Sequence, residues 1–298
     1  MTEDRPRSRR RGRTAVAALV PLAVGAGLVW LVSHGPAPES TSPAQAPRSV
    51  PASAVPSPTA PHRHEHRRPL AGKVIVLDPG HNPSNRLHTA ETARTVDIGT
   101  GRKRCDTTGT ATASGYAEAA FTLDLARRVR TELEKHGATV RLTQNGARPW
   151  GPCIDERAAQ GNEAGADAAV SLHADGAGAG NRGFHVIAPA RVRAGTADTR
   201  AIVGPSRRLG RELADAFGRA TGTRPAPYAG GEDGLVTRDD LGGLNLSTVP
   251  KVFLECGNMR DPRDAALLKD PAWRTRAAHG VVQGLAGFLG PRENSADG

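Results

Sequence analysis

Aromatic side chains are scarce in this 298-residue chain: five Phe, three Trp and two Tyr. Few rings are available to stack on bases and no nucleic-acid-binding motif is recognisable, so the formal charge of +10 is not the footprint of DNA or RNA recognition. The placement of the charge agrees. Residues 1–69 hold ten Arg against four acids, and residues 70–298 hold 30 basic and 26 acidic side chains, a surplus of only +4. That mild surplus suits an anionic polymer. Internal repeats are absent too, so attachment to such a polymer would fall to the folded domain, the N-terminal segment or a partner. Cysteine is limited to three residues.

The first 69 residues also lack the composition of a packed core. Six Arg between residues 5 and 13 precede an uncharged apolar run of 18 residues, 15–32, the pattern of an export signal. The run is long for a cleaved signal and just long enough to span a bilayer, so cleavage and retention as a membrane anchor both stand. Residues 34–69, rich in Pro, Ala and Ser, cannot bury enough apolar surface to offset the entropy of ordering and read as a linker. Its histidine-containing end, His62 to Arg68, reads as a solvated basic segment rather than a metal site. The expected organisation is a signal or anchor at 1–33, a disordered linker at 34–69, one folded domain at 70–292 and a tail at 293–298.

From Leu70 onward, apolar runs alternate with helical patterns, which implies an α/β fold: a mostly parallel central sheet with helices on both faces. The first run, 74–77, stops at Pro79-Gly80 and hands His81 to the carboxyl edge of the sheet. Open α/β sheets bind ligands at that edge. Two later runs repeat the construction: 168–172 ends at His173, and 250–254 ends at Glu255. Between the first two lies a Gly- and Thr-rich loop, 82–113, long enough to be functional or pinned.

Ser114 is the expected N-cap of a helix reaching His136, with Gly137 as its stop. Phe121, Leu125, Val129 and Leu133 mark the buried face of that helix, and Glu118 shares it. A carboxylate there needs a partner or a metal; interaction with the helix dipole is the alternative. Further strands are expected at 139–142 and 183–187, and helices at 154–163, 203–220, 263–269 and 272–288. The polar, Gly-rich segment 222–246 shows no clear period and is placed along or over the cleft.

Cys105 and Cys153 both fall in expected loops, and export permits oxidation. A bridge would pin the 82–113 loop, closure of about fifty residues contributing roughly 4 kcal/mol on the chain-entropy model; two free thiols are the alternative. Cys256 reads as a small buried side chain in the last strand.

His81, Glu118, His173 and Glu255 together supply two imidazoles and two carboxylates. Two imidazoles and one carboxylate make a hydrolytic zinc site that keeps a position open for water. A further carboxylate off the metal is needed as general base. Pattern alone leaves open which glutamate plays which part.

At these residues the chain resembles the zinc-dependent N-acetylmuramoyl-L-alanine amidases of the bacterial cell-separation type. The matching pieces are Leu77-Asp-Pro-Gly-His81, Glu118 at a helix start, Ser171-Leu-His-Ala-Asp175, and Pro250-Lys-Val-Phe-Leu-Glu255-Cys-Gly257 followed by Asp261 and Asp264. They come in the family's order, and the resemblance covers about residues 72–289. The resemblance implies one Zn2+ per chain held by His81, Glu118 and His173, with Glu255 as the catalytic carboxylate. It implies cleavage of the amide between N-acetylmuramic acid and L-alanine of the stem peptide, in peptidoglycan or its muropeptide fragments. Location would be extracellular, at the wall or anchored to the outer face of the cytoplasmic membrane through the N-terminal apolar segment. Two departures stand out: Asn82-Pro83 replaces a common pair of glycines, and Asn258 an apolar residue. A zinc peptidase acting on wall peptides shares the chemistry and is the alternative enzyme. A non-catalytic wall-binding protein is the alternative outside enzymes, and the presence of all four ionisable residues argues against it.

Overall fold

In the computed structural model, Val74–Pro79 (β1) lies inside a six-stranded sheet. The structure describes residues 68–230 and 233–290; the expected signal or anchor, residues 34–67 of the linker and the tail lie outside the described residues. Across the sheet the order is β4 (Thr139–Leu142), β1, β5 (Ala168–Asp175), β10 (Lys251–Asn258), β6 (His185–Pro189) and β9 (Leu235–Arg238). The first four run parallel, β6 is antiparallel to β10, and β9 is parallel to β6. Because interior parallel strands are covered on both sides, they read as near-continuous apolar runs, as β1 and β5 do.

The two faces of the sheet differ. Alternation along the strands sends Ile75, Leu77, Val170, Leu172, Val252 and Leu254 to one side. There α2 (Glu118–Lys135), α4 (Val203–Thr221) and α7 (Pro271–Leu289) bury them with Phe121, Leu125, Phe217 and Trp273. Each such fully buried large side chain contributes roughly 1.5–3 kcal/mol. The other side carries Asp78, Ser171, His173, Lys251, Phe253 and Glu255, and packs against α3 (Ile154–Glu163) and the short α5 (Gly242–Asn245). The expected helices on both faces are therefore present, with the apolar core on one and the chemistry on the other. Helix α6 (Pro262–Lys269) leads into α7.

Two expected local features differ. Ser114 does not cap α2: its hydroxyl bonds Thr112 Oγ1 at 3.1 Å in a turn that precedes the helix, and Ala117 is the N-cap. The 82–113 loop is not featureless, for it contains α1 (Thr89–Ala93) and a hairpin of β2 (Thr95–Asp97) and β3 (Arg102–Arg104). A second small hairpin pairs β7 (Arg193–Ala194) with β8 (Ala197–Asp198). The 222–246 segment, which shows no clear period in the sequence, supplies β9 and α5.

Cys105 and Cys153 are bridged, their Cα atoms 4.3 Å apart, so the end of the hairpin segment is tied to the residue preceding α3. Cys256 is fully buried and free. Non-reducing peptide mass spectrometry of oxidised protein should recover Cys105 joined to Cys153, with Cys256 alkylated only after unfolding. A bridge containing Cys256 would contradict the burial of β10.

Candidate metal centre and catalytic cleft

Gly80 ends β1 at a place where no side chain fits, since a Cβ there would overlap the His173 ring. The next residue, His81, has φ of 62°, the one positive value outside glycine among the described residues. Such a backbone conformation costs on the order of 1–3 kcal/mol and persists only where the surroundings enforce it. Here Gln144 Nε2 and Arg157 Nη2 donate to the His81 carbonyl at 2.9 and 3.1 Å.

Glu118, the first residue of α2, is 4 % exposed and stands between both histidines. Its Oε1 lies 3.2 Å from His81 Nε2 and 2.9 Å from His173 Nδ1, while Oε2 accepts from the Thr110 amide at 2.9 Å. Ligand atoms of His81, Glu118 and His173 all fall within 4.8 Å of one another. The outer nitrogen of His81, Nδ1, faces Asp106 Oδ1 at 3.4 Å and the Thr107 carbonyl at 3.1 Å. Such outer partners fix ring orientation and tautomer. The His173 ring stacks on Phe253, centroids 5.0 Å apart. Burial alone would lower the His81 pKa, but the Glu118 charge and the Asp106 hydrogen bond raise it to about 10. Burial would likewise raise Glu118, yet the His81 charge and the His173 hydrogen bond hold it below the usual carboxylate range.

Beneath this cluster lies a closed ionic network. Asp78, 1 % exposed, accepts from Lys251 Nζ at 3.0 Å, Arg157 Nη1 at 2.8 Å, Thr143 Oγ1 at 2.7 Å and Ser171 Oγ at 2.9 Å. Arg157 spends its other terminal nitrogen on Asp106 Oδ2 at 2.9 Å. The chain Asp78, Arg157, Asp106, His81 thus runs from sheet to site. Arg157, Asp106 and Lys251 escape sequence reasoning because a charged residue on a helix, in a loop or at a strand start ordinarily faces water. The one available signal was Asp78, a carboxylate inside the motif ending at His81.

Glu255 is not part of the three-residue cluster. On β10 it pairs in register with His173 of β5, so it stands beside the cluster on the adjacent strand. Its Oε2 is buried without a hydrogen-bond partner among the described residues. Burial first, then the charges of Glu118 and Asp175, push its pKa well above the carboxylate range, with His81 and Arg238 opposing. A carboxyl whose pKa is raised this way holds a proton more readily than a free carboxylate does. Both departures noted in the motifs have structural work: Asn82 Nδ2 donates to the Gly151 carbonyl at 2.9 Å, and Asn258 Nδ2 donates to the Asn181 carbonyl at 2.8 Å, pinning the loop after β5. A cleft of about 340 Å³ opens beside His81 and His173, walled by Ile154, Leu241 and Phe253.

Fold and donor set define an α/β domain with a candidate metal centre at the carboxyl edge of its sheet and a poised carboxylate next to it. Residues 75–287 match the family model described as N-acetylmuramoyl-L-alanine amidase. The chain is 41% identical over 222 residues to N-acetylmuramoyl-L-alanine amidase Rv3717 of Mycobacterium tuberculosis, covering 74% of this chain and 88% of that protein. It is similar to the crystal structure of the amidase Ami1 from Mycobacterium smegmatis, with a TM-score of 0.68 and 41% identity over 74% of this chain and 98% of that one. The catalytic domain of CwlV from Bacillus (Paenibacillus) polymyxa var. colistinus shares the fold at 21% identity and a TM-score of 0.54, over 73% of this chain and 98% of that domain. This chain belongs to the N-acetylmuramoyl-L-alanine amidase family.

Arg157→Met leaves Asp78 with one of its two cations and Asp106 with His81 alone, so it should lower stability by about 3–5 kcal/mol at neutral pH, read as a shift in denaturation midpoint. The pH dependence has a defined sign. Burial would raise the Asp78 pKa, but Lys251 and then Arg157 hold it far below the usual value. Its contribution is therefore complete above the ordinary carboxylate pKa of about 3.9 and is lost as pH falls toward the depressed folded value. A loss under about 1 kcal/mol for Arg157→Met would contradict the network's role.

Proposed function

We propose that this chain is an exported peptidoglycan hydrolase that cleaves the amide between the lactyl group of N-acetylmuramic acid and L-alanine of the stem peptide. The carrying observation is the convergence of His81, Glu118 and His173 on one point, beside the buried Glu255 carboxyl on the adjacent strand. Two imidazoles and one carboxylate fit zinc in its hydrolytic form, and Gly109 suits the cradle, for a Cβ there would come within 2.6 Å of His81 Cδ2 and 2.7 Å of Glu118 Oε2. His81, Glu118 and His173 would hold the metal, and Asp106 would orient His81. When bound there, zinc supplies a Lewis acid for the amide carbonyl and lowers the pKa of a water.

The remaining steps belong to the chain. Glu255 takes a proton from the attacking water and passes it to the L-alanine nitrogen, which needs it to leave as an amine. Its raised pKa suits both halves of that transfer, since a strongly acidic carboxylate would accept poorly. Burial of Oε2 keeps bulk water from competing for the proton. The folded unit at 70–292 would act outside the cell, delivered by the 1–33 segment across the 34–69 linker.

Purified protein should carry about one zinc per chain, and chelation should abolish activity that added zinc restores. Glu118→Ala should lose both zinc and activity. Glu255→Gln should keep its zinc and lose about 10²- to 10⁴-fold in rate, the usual contribution of a general base. Metal analysis and muropeptide products measured together on both variants decide the assignment. Loss of zinc from Glu255→Gln with retention in Glu118→Ala would reverse the two roles.

A further inference from the structure

Around Glu255, three side chains that the proposed reaction does not yet use touch in series: Asp175 on β5, Tyr228, and His185 on β6, across β10 from the metal cluster. Asp175 ends β5, two residues past His173 and on the same side of the strand. Its Oδ2 accepts from Tyr228 Oη at 3.0 Å and its Oδ1 from the Gly176 amide at 2.6 Å. No cation lies in ion-pair reach of it among the described residues; the nearby Arg238 is committed to Asp240 at 2.7 and 2.8 Å. His185 opens β6 in register with Glu255, and its ring meets Tyr228 edge to face, centroids 6.1 Å apart. Although His185 is only 6 % exposed, its Nδ1 has no hydrogen-bond partner among the described residues.

We propose that Asp175, Tyr228 and His185 form a binding site for the amino end of the leaving stem peptide, with Asp175 as a fixed negative charge for the nitrogen as it becomes cationic. The proposal rests on the amidase reading of Glu255, because the proton donor and the leaving nitrogen must be adjacent. The balance of the step explains the choice of charge. Water oxygen bonds to the lactyl carbon, and Glu255, having taken one water proton, gives it to the nitrogen. The C–N bond then breaks with its electron pair on nitrogen. The second water proton passes from the new carboxylic acid to the amine, leaving a carboxylate and an ammonium. The substrate nitrogen is a neutral amide, so an anion beside it gains attraction only as the proton arrives, and such a contact favours the later state over the earlier one.

Neither neighbour is a cation that would pair with the Asp175 carboxylate. Burial, then the Asp175 charge, raise the Tyr228 pKa, so its hydroxyl stays protonated and donates to Asp175. Burial lowers the His185 pKa, with Arg238 reinforcing and Asp175 opposing, so the imidazole remains neutral and does not cancel the carboxylate.

Titration calorimetry of zinc-loaded protein with L-alanyl-D-isoglutamine and its N-acetyl derivative tests this without turnover. Wild type should favour the free amine by about tenfold or more, the value of one charge-assisted hydrogen bond. Asp175→Asn should abolish the preference and, on muropeptide substrate, lower kcat with KM little changed. Because Asp175 neighbours a proposed ligand, zinc content is measured alongside. Tyr228→Phe, distant in sequence, should reduce the preference with zinc intact. Equal binding of the two peptides, no saturable binding of the free amine at millimolar concentration, or a preference surviving both substitutions overturns the proposal. A protein that prefers the free amine yet releases no stem peptide from walls would instead overturn the amidase reading alone.

Discussion

Asp78 sits under the sheet's carboxyl edge with Lys251 on one side and Arg157 on the other, all three almost wholly out of water. Few arrangements are as unforgiving. Charges taken from water cost several kcal/mol each, and only close, complete pairing returns that cost. Satisfying Asp78 therefore dictates where β1, β10 and α3 lie relative to one another. The same guanidinium reaches Asp106 and the His81 carbonyl, so a requirement of folding also sets the angle of a site residue. Replacing the whole network, carboxylates included, by apolar groups of similar volume could match its stability, but it would remove Asp106, the partner on the His81 ring.

This shared device explains the unequal faces of the sheet. One face is packed with aliphatic and aromatic side chains and supplies most of the burial energy. The other holds ionised groups whose positions are fixed by one another, and there the cleft opens. Glu118 links the two sides: it belongs to a helix on the apolar face, yet its carboxylate reaches over the edge to both histidines. Glu255 is left with an oxygen that has no hydrogen-bond partner among the described residues, a local cost that the rest of the fold carries.

Much of this was legible in the sequence because parallel interior strands leave a plain signature. The runs leading to His81, His173 and Glu255 are mainly apolar blocks that deliver an ionisable residue at or just past the strand end, and the register of β5 with β10 then aligns two of those residues. Helix α3 was readable at both ends. What escaped has physical causes. Strands β2 and β3 are almost fully exposed, so no alternation of burial marks them. The N-cap of α2 was misplaced because Ser114 meets its hydrogen-bonding needs within the preceding turn. Arg157 and Lys251 look like surface residues, since nothing local reveals a carboxylate that arrives from 79 or 173 residues away. Asn82 and Asn258 looked like departures from a pattern and are satisfied donors to loop carbonyls.

The central claim is that water adds to the lactyl carbonyl of N-acetylmuramic acid rather than to a peptide carbonyl. Digesting purified peptidoglycan in water labelled with heavy oxygen, then locating the label by fragment mass spectrometry, tests it directly. The account predicts one labelled oxygen in the muramyl lactyl carboxylate and an unlabelled stem peptide with a free L-alanine amine. Label at a carboxylate within the stem peptide, with the muramyl linkage intact, would contradict it.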